Sequence, residues 1–143
     1  MKFRLDMALV RTFHAQKNTI RPGMAVIGLS PGQPKVLDYL SRRDNCMQKD
    51  IAAALDIEPA TVSQLLSNME QTGLIKRSEP AERRRAESVS ITDSGREYHE
   101  KWLLLCKEVE EISLKGFSQV EKEQYLDYLG RMYRNLTGRE LNN

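Results

Sequence analysis

Cysteine and histidine are scarce. Cys46, Cys106, His14 and His99 are the whole supply, and the two cysteines lie 60 positions apart with no CxxC spacing. A structural zinc site draws about four Cys or His ligands at close spacing, so no metal site is expected. Long apolar runs are missing too: Lys2, Arg4, Asp6 and Arg11 interrupt the N-terminus. Nothing approaches the roughly 18 apolar residues that a spanning helix requires, so neither a secretion signal nor a membrane span is expected, and the cytoplasm is the expected location. No nucleophile, base and orienting acid form a recognisable set, and no glycine-rich phosphate loop follows a strand. An enzyme is therefore not expected, nor a cofactor. Charge of one sign is also short, at a net +2 over 143 residues. That excludes a general polycation, and any affinity for nucleic acid must come from where the charge sits.

What the chain does contain is amphipathic periodicity, in 40% hydrophobic and 29% charged residues. Phe3, Met7, Val10 and Phe13 recur on one side of a helix predicted from Phe3 to about Lys17. Pro22 and Gly23 predict its end before Asn18 to Gly23, with a short linker holding Met24, Val26 and Ile27. Ser30, Pro31, Gly32 and Gln33 read as a capping box opening a second helix, with Val36, Leu37 and Leu40 buried and a stop near Arg42 to Asn45. A short third helix spans Gln48 to Leu55 with Ile51 and Leu55 inward. Met47 stands where a capping Ser or Thr is usual.

Asp56 and Ile57 make a turn, and a fourth helix begins at Pro59. Val62, Leu65, Leu66 and Met69 share one face. Ala60, Ser63, Gln64, Ser67 and Gln71 point away, with Thr61 and Asn68 at the margins. That outer face is small, hydrogen-bonding and free of carboxylates. Gly73 is placed for a left-handed helix stop, with Leu74 folding back on Met69. Leu74 to Ser78 and Glu87 to Thr92 are strand-like, Val89 and Ile91 alternating against Ser88 and Ser90 as in a half-buried strand. The loop between them, Glu79 to Ala86, carries Arg83, Arg84 and Arg85. Lys76 through Arg85 holds five positive and two negative side chains, +3, while the rest of the chain sums to −1. The positive charge is concentrated in this hairpin.

Thr92 caps a long helix predicted to run to about Lys115, with Tyr98, Trp102, Leu105, Val109 and Ile112 in a heptad-like seam. Gly116 breaks it, and Ser118 with Glu121 forms a second capping box. A last helix is expected to bury Leu126, Leu129, Met132, Tyr133 and Leu136, before a frayed tail from Gly138 to Asn143. The predicted fold is mainly α with a small β-hairpin wing: a winged helix-turn-helix between N- and C-terminal helices.

In their order and spacing, Leu29 to Gln33, Gln48, Ala52, Ala60 to Ser63, Gly73 to Ile75, Arg77, Arg84, Arg85, Val89, Ile91, Thr92 and Gly95 resemble the multiple antibiotic resistance regulator (MarR) family of bacterial transcription factors. The resemblance covers nearly the full length. It implies a homodimer on double-stranded DNA, with residues 1–29 and 93–143 forming a helical dimerisation region and 30–92 the DNA-binding lobe. It further implies a repressor released by a small aromatic or phenolic effector. Thr61, Ser63, Gln64, Ser67 and Asn68 are the expected base and phosphate contacts of the fourth helix, and Arg83, Arg84 and Arg85 those of the wing. Two positions depart from the family pattern. Arg83 stands where the wing usually has an acid, and Gln64 where an arginine is common, which shifts the expected base from guanine towards adenine. Two alternatives stay open: a thiol-based redox sensor using Cys46 or Cys106, and a winged-helix module that binds protein.

Overall fold

The computed structural model describes residues 2–79 and 87–141, which form six helices and one two-stranded antiparallel sheet. Two compact units divide the chain, residues 1–107 and 108–143. The first carries the core. Val36, Leu37, Leu40, Ile51, Val62, Leu66 and Met69 are fully buried there, joined by Leu74, Ile75, Val89 and Ile91. Burial of each such side chain contributes roughly 1.5–3 kcal/mol, so this cluster holds the lobe together.

Helix α1 spans Leu5–Ile27 and does not end before Asn18 as the sequence predicts; Pro22 lies inside it. An interior proline forfeits one backbone hydrogen bond, about 3 kcal/mol with its steric clash. Packing downstream offsets that cost. Met24 is buried, Ile27 packs on the core, and Gly23 is a contact glycine, since a Cβ there would sit 2.6 Å from Leu105 Cδ1. The stop comes at Gly28, whose φ of 97° is left-handed, with the Gly28 and Leu29 N–H groups both donating to the Met24 carbonyl at 3.1 Å. The glycine that ends this helix is the one free to adopt that conformation.

Helix α2 spans Gln33–Arg42, so the capping box read at Ser30 belongs to a turn that precedes it. Gln33 does reach back, its Oε1 accepting from the Ser30 N–H at 2.9 Å, but Gly32 takes a left-handed φ of 88° and postpones the helix. Helix α3 spans Gln48–Leu55 as predicted. Met47 brings no hydroxyl, and the Asp50 N–H donates instead to the Met47 carbonyl at 3.0 Å while Asp50 Oδ2 accepts from the Met47 N–H at 3.0 Å. Helix α4 spans Pro59–Gln71, also as predicted, and ends as expected: Gly73 has φ 78° and Leu74 N–H donates to the Met69 carbonyl at 2.9 Å.

Strands β1 (Ile75–Ser78) and β2 (Ser88–Ile91) pair antiparallel, Arg77 opposite Val89. The alternation expected of β2 is not found, because Ser88, Val89, Ser90 and Ile91 are all buried. Its outer edge is taken up by the α2–α3 loop. Cys46 exchanges backbone hydrogen bonds with Val89 (3.1 and 2.7 Å), and Asp44 Oδ1 accepts from the Ile91 N–H at 2.9 Å. A strand covered on both faces and both edges has no polar side to show.

Helix α5 spans Asp93–Ser113 and is capped by Thr92, whose Oγ1 accepts from the Gly95 N–H at 3.0 Å. Its seam splits: Tyr98, Trp102 and Leu105 pack on the first unit's core and Val109 is buried, while Ile112 is 65% exposed. Helix α6, Gln119–Thr137, has the predicted capping box, Ser118 N–H to Glu121 Oε2 at 2.7 Å and Glu121 N–H to Ser118 Oγ at 3.2 Å. It buries none of its residues. Leu126 and Leu136 are exposed, and Leu129, Met132 and Tyr133 are half-buried. The sequence pattern marks an apolar side correctly, but a single chain does not cover it. Beyond Gly138, Arg134 and Glu140 pair at 2.6 Å, so the start of the tail folds back instead of fraying.

Candidate nucleic-acid interface

The geometry that matters is set by the turn between α3 and α4. Asp56 takes a left-handed conformation (φ 53°, ψ 42°), which a short polar side chain tolerates better than most, and the Ile57 N–H bonds back to the Ala52 carbonyl at 3.1 Å. Pro59 then opens α4 at a position where its missing N–H costs nothing. Val62, Leu66 and Met69 anchor the inner face, leaving the opposite face to solvent.

On that outer face Thr61, Gln64 and Asn68 are exposed. Gln64 Nε2 donates to Asn68 Oδ1 at 3.2 Å, one turn on, so the two amides form a pre-aligned pair with donors and acceptors left over. Ser63 and Ser67 are half-buried on the flank nearest the hairpin, where the Arg77 guanidinium approaches both. The structure therefore brings Thr61, Gln64 and Asn68 together and sets Ser63 and Ser67 beside them, partly engaged. Arg83, Arg84 and Arg85 lie outside the described residues.

Several contacts at this end had no sequence signal, because they join residues far apart in the chain. Asp44 pairs with Arg96 at 3.2 Å while capping β2, tying the α2–α3 loop to the hairpin and to α5. His99 meets Asp38 at 2.6 Å and so links α5 to α2. Arg77, only one of several basic residues in the sequence, turns out to be mostly buried against α4.

Both cysteines are unpaired and half-buried, and burial is the main cause pushing each thiol up to about 11; Asp50 adds to it at Cys46 and Asp38 at Cys106. The thiolate is the reactive form, so little of either is available at neutral pH. Alkylation by iodoacetamide should accelerate about tenfold per pH unit up to about 11, where an ordinary thiol levels off near 8.5. A plateau near pH 8 would contradict these environments. Because the folded thiols ionise above the unfolded value of 9.0, stability drawn from them is intact below 9 and declines from there to about 11.

Among the described residues, no group of His, Cys, Asp and Glu side chains could hold a metal ion, and no helix is long and apolar enough to cross a membrane. The MarR family model matches residues 27–86, from the end of α1 through the hairpin loop. Over that stretch the chain is similar to the MarR family. The relatives it matches are HTH-type transcriptional regulators. The chain is similar to the HTH-type transcriptional regulator YdgJ of Bacillus subtilis, 28% identical over 116 residues that make up 81% of this chain and 71% of that protein. It is also similar to the HTH-type transcriptional repressor MdtR of the same organism, 26% identical over 91 residues, 64% of this chain and 59% of that protein. Among solved structures, the S. aureus MepR–DNA complex superposes with a TM-score of 0.80 at 27% identity, covering 95% of this chain and 99% of that one.

Proposed function

We propose that this chain is a MarR-family repressor that acts in the cytoplasm as a homodimer and lays α4 of each subunit into the major groove of a pseudo-palindromic operator. The observation that carries the reading is the α4 outer face: Thr61, Gln64 and Asn68 are exposed, carry no carboxylate, and include an aligned amide pair. A helix of about 10–12 Å diameter fits that groove, and an amide can bond the N6 and N7 edge of adenine. Ser63 and Ser67 flank the readers, and Arg83, Arg84 and Arg85 supply wing contacts to phosphate or the minor groove. Residues 30–92 form the DNA-binding lobe.

Residues 1–29 and 93–143 form the dimerisation region. What supports this is the exposed apolar side of α1 and α6, where Met7, Val10, Phe13, Leu126 and Leu136, with Phe3 just before α1, all meet solvent in the single chain. A two-fold dimer places half-sites roughly one helical turn apart, about 10 bp. Similarity to a repressor and to a DNA-bound relative supports the direction of regulation. A small aromatic or phenolic anion releases the operator by binding the DNA-incompetent arrangement more tightly. The raised thiol pKa values stand against the redox alternative.

Footprinting on the DNA that flanks its own gene, with and without a hydroxybenzoate, tests site, symmetry and release together. A salt-insensitive association with protein and no protected DNA would overturn the reading. Within that site, Gln64→Ala should lose about 1–3 kcal/mol of discrimination at one base pair per half-site, measured as the affinity ratio of operator to single-substituted duplexes.

A further inference from the structure

Arg77 reaches from β1 across to the middle of α4. Its Nη2 lies 3.5 Å from the Ser63 carbonyl oxygen and 3.4 Å from Ser67 Oγ, and its Nη1 lies 4.0 Å from Glu87 Oε2 at the start of β2. The side chain is 19% exposed, and its Nε is buried with no hydrogen-bond partner among the described residues. A guanidinium offers five donors in a rigid fork, and an N–H···O bond ordinarily spans about 2.7–3.2 Å. Among the described residues, this one's contacts all lie beyond that range. Burying a cation so loosely engaged is a poor way to gain stability, and an apolar side chain of similar length would serve that purpose as well.

What the guanidinium does, and an apolar chain cannot, is hold the two N–H groups of Nη2 in one fixed plane between two acceptors one helical turn apart. Ser63 and Ser67 are that pair. Gln64 and Asn68 occupy the adjacent row of α4, so any roll of the helix about its axis moves both amides together. We propose that Arg77 is a positioning residue for base reading: by spanning Ser63 and Ser67 it sets the rotation of α4 at which Gln64 and Asn68 meet base edges, and through Glu87 it ties that rotation to the wing. The inference rests on α4 being the reading helix.

The test is Arg77→Lys, which keeps the charge and the aliphatic stem but removes the fork. Operator affinity should fall about tenfold, the size of one weakened base contact. Affinity for an unrelated duplex should stay within about twofold and the salt slope should be unchanged, since counterion release depends on phosphate contacts alone. Full retention of operator affinity by Arg77→Lys would overturn the proposal, because charge alone would then suffice. So would a parallel loss on both duplexes in Arg77→Ala with the salt slope reduced by about one, which would make Arg77 a phosphate ligand. Circular dichroism accompanies each variant, and Arg77→Lys carries the test if Arg77→Ala does not fold. Gln64→Ala separates the two levels. If it lowers discrimination while Arg77→Lys does not, only the positioning role fails; if neither does, the docking of α4 fails with it.

Discussion

Val10→Asp should convert the protein to a monomer and weaken operator binding by about 10²- to 10⁴-fold, the range lost when two linked contacts become one. Val10 stands on the α1 stripe Met7, Val10 and Phe13, with Phe3 just before the helix, and each of these side chains is about half exposed or more in the single chain. A contiguous apolar stripe of this kind on a helix marks an interaction surface. Covering it with a second copy gains about 25 cal/mol per Å² of apolar area, and a carboxylate in its middle would have to be desolvated with no partner. Because Val10 is exposed in the chain, the substitution leaves the core of the first unit untouched, and the monomer should keep its helicity and melting behaviour. Sedimentation together with operator titration checks both halves. A dimer of unchanged affinity would remove α1 from the interface.

The helix-turn-helix was legible in the sequence almost to the residue, for a physical reason. The bounds Gln48–Leu55, the start at Pro59 and the stop at Gly73 are written by local rules, a 3.6-residue apolar period, a proline at a first turn and a glycine in the left-handed region, all within a few residues of their effect. The misreadings fall where distant residues intervene. Pro22 and Gly23 look like breakers until Leu105, far along the chain, is found lying against Gly23. Ser88 and Ser90 look solvent-facing until Cys46 and Asp44 close the other edge of β2. Arg77 looks like one more wing cation, and only tertiary contact shows it turned under α4. In α6 the expected burial of Leu126, Leu129, Met132, Tyr133 and Leu136 is not found, because periodicity marks which side of a helix is apolar and not what packs on it.

Gly95→Ala should lower stability by about 1–3 kcal/mol or more, although the same exchange at an unobstructed helical position gains up to about 1 kcal/mol from helix propensity. The sign is decided by what a Cβ would meet. At Gly95 it would overlap the Leu74 carbonyl oxygen and press on Ile91 Cγ1 at 2.8 Å. Flexible side chains can yield to such pressure, but this carbonyl is held. It accepts from the Thr92 N–H at 3.1 Å, and the Leu74 N–H is itself bound to Met69. Thr92 locks the same corner from the other side, its Oγ1 donating to the Gly73 carbonyl at 2.6 Å while accepting from the Gly95 N–H. Three elements, the end of α4, the hairpin and the first turn of α5, thus converge where only hydrogen fits. Relief requires α5 to move off the hairpin, which strips cover from Leu74 and Ile91 and disturbs the Arg96–Asp44 pair. Each kcal/mol corresponds to about 2–4 °C for a chain near this size, so a thermal melt should show a midpoint several degrees lower. A midpoint unchanged or raised would mean that this corner yields, and that Gly95 is not what holds α5 against the DNA-binding lobe.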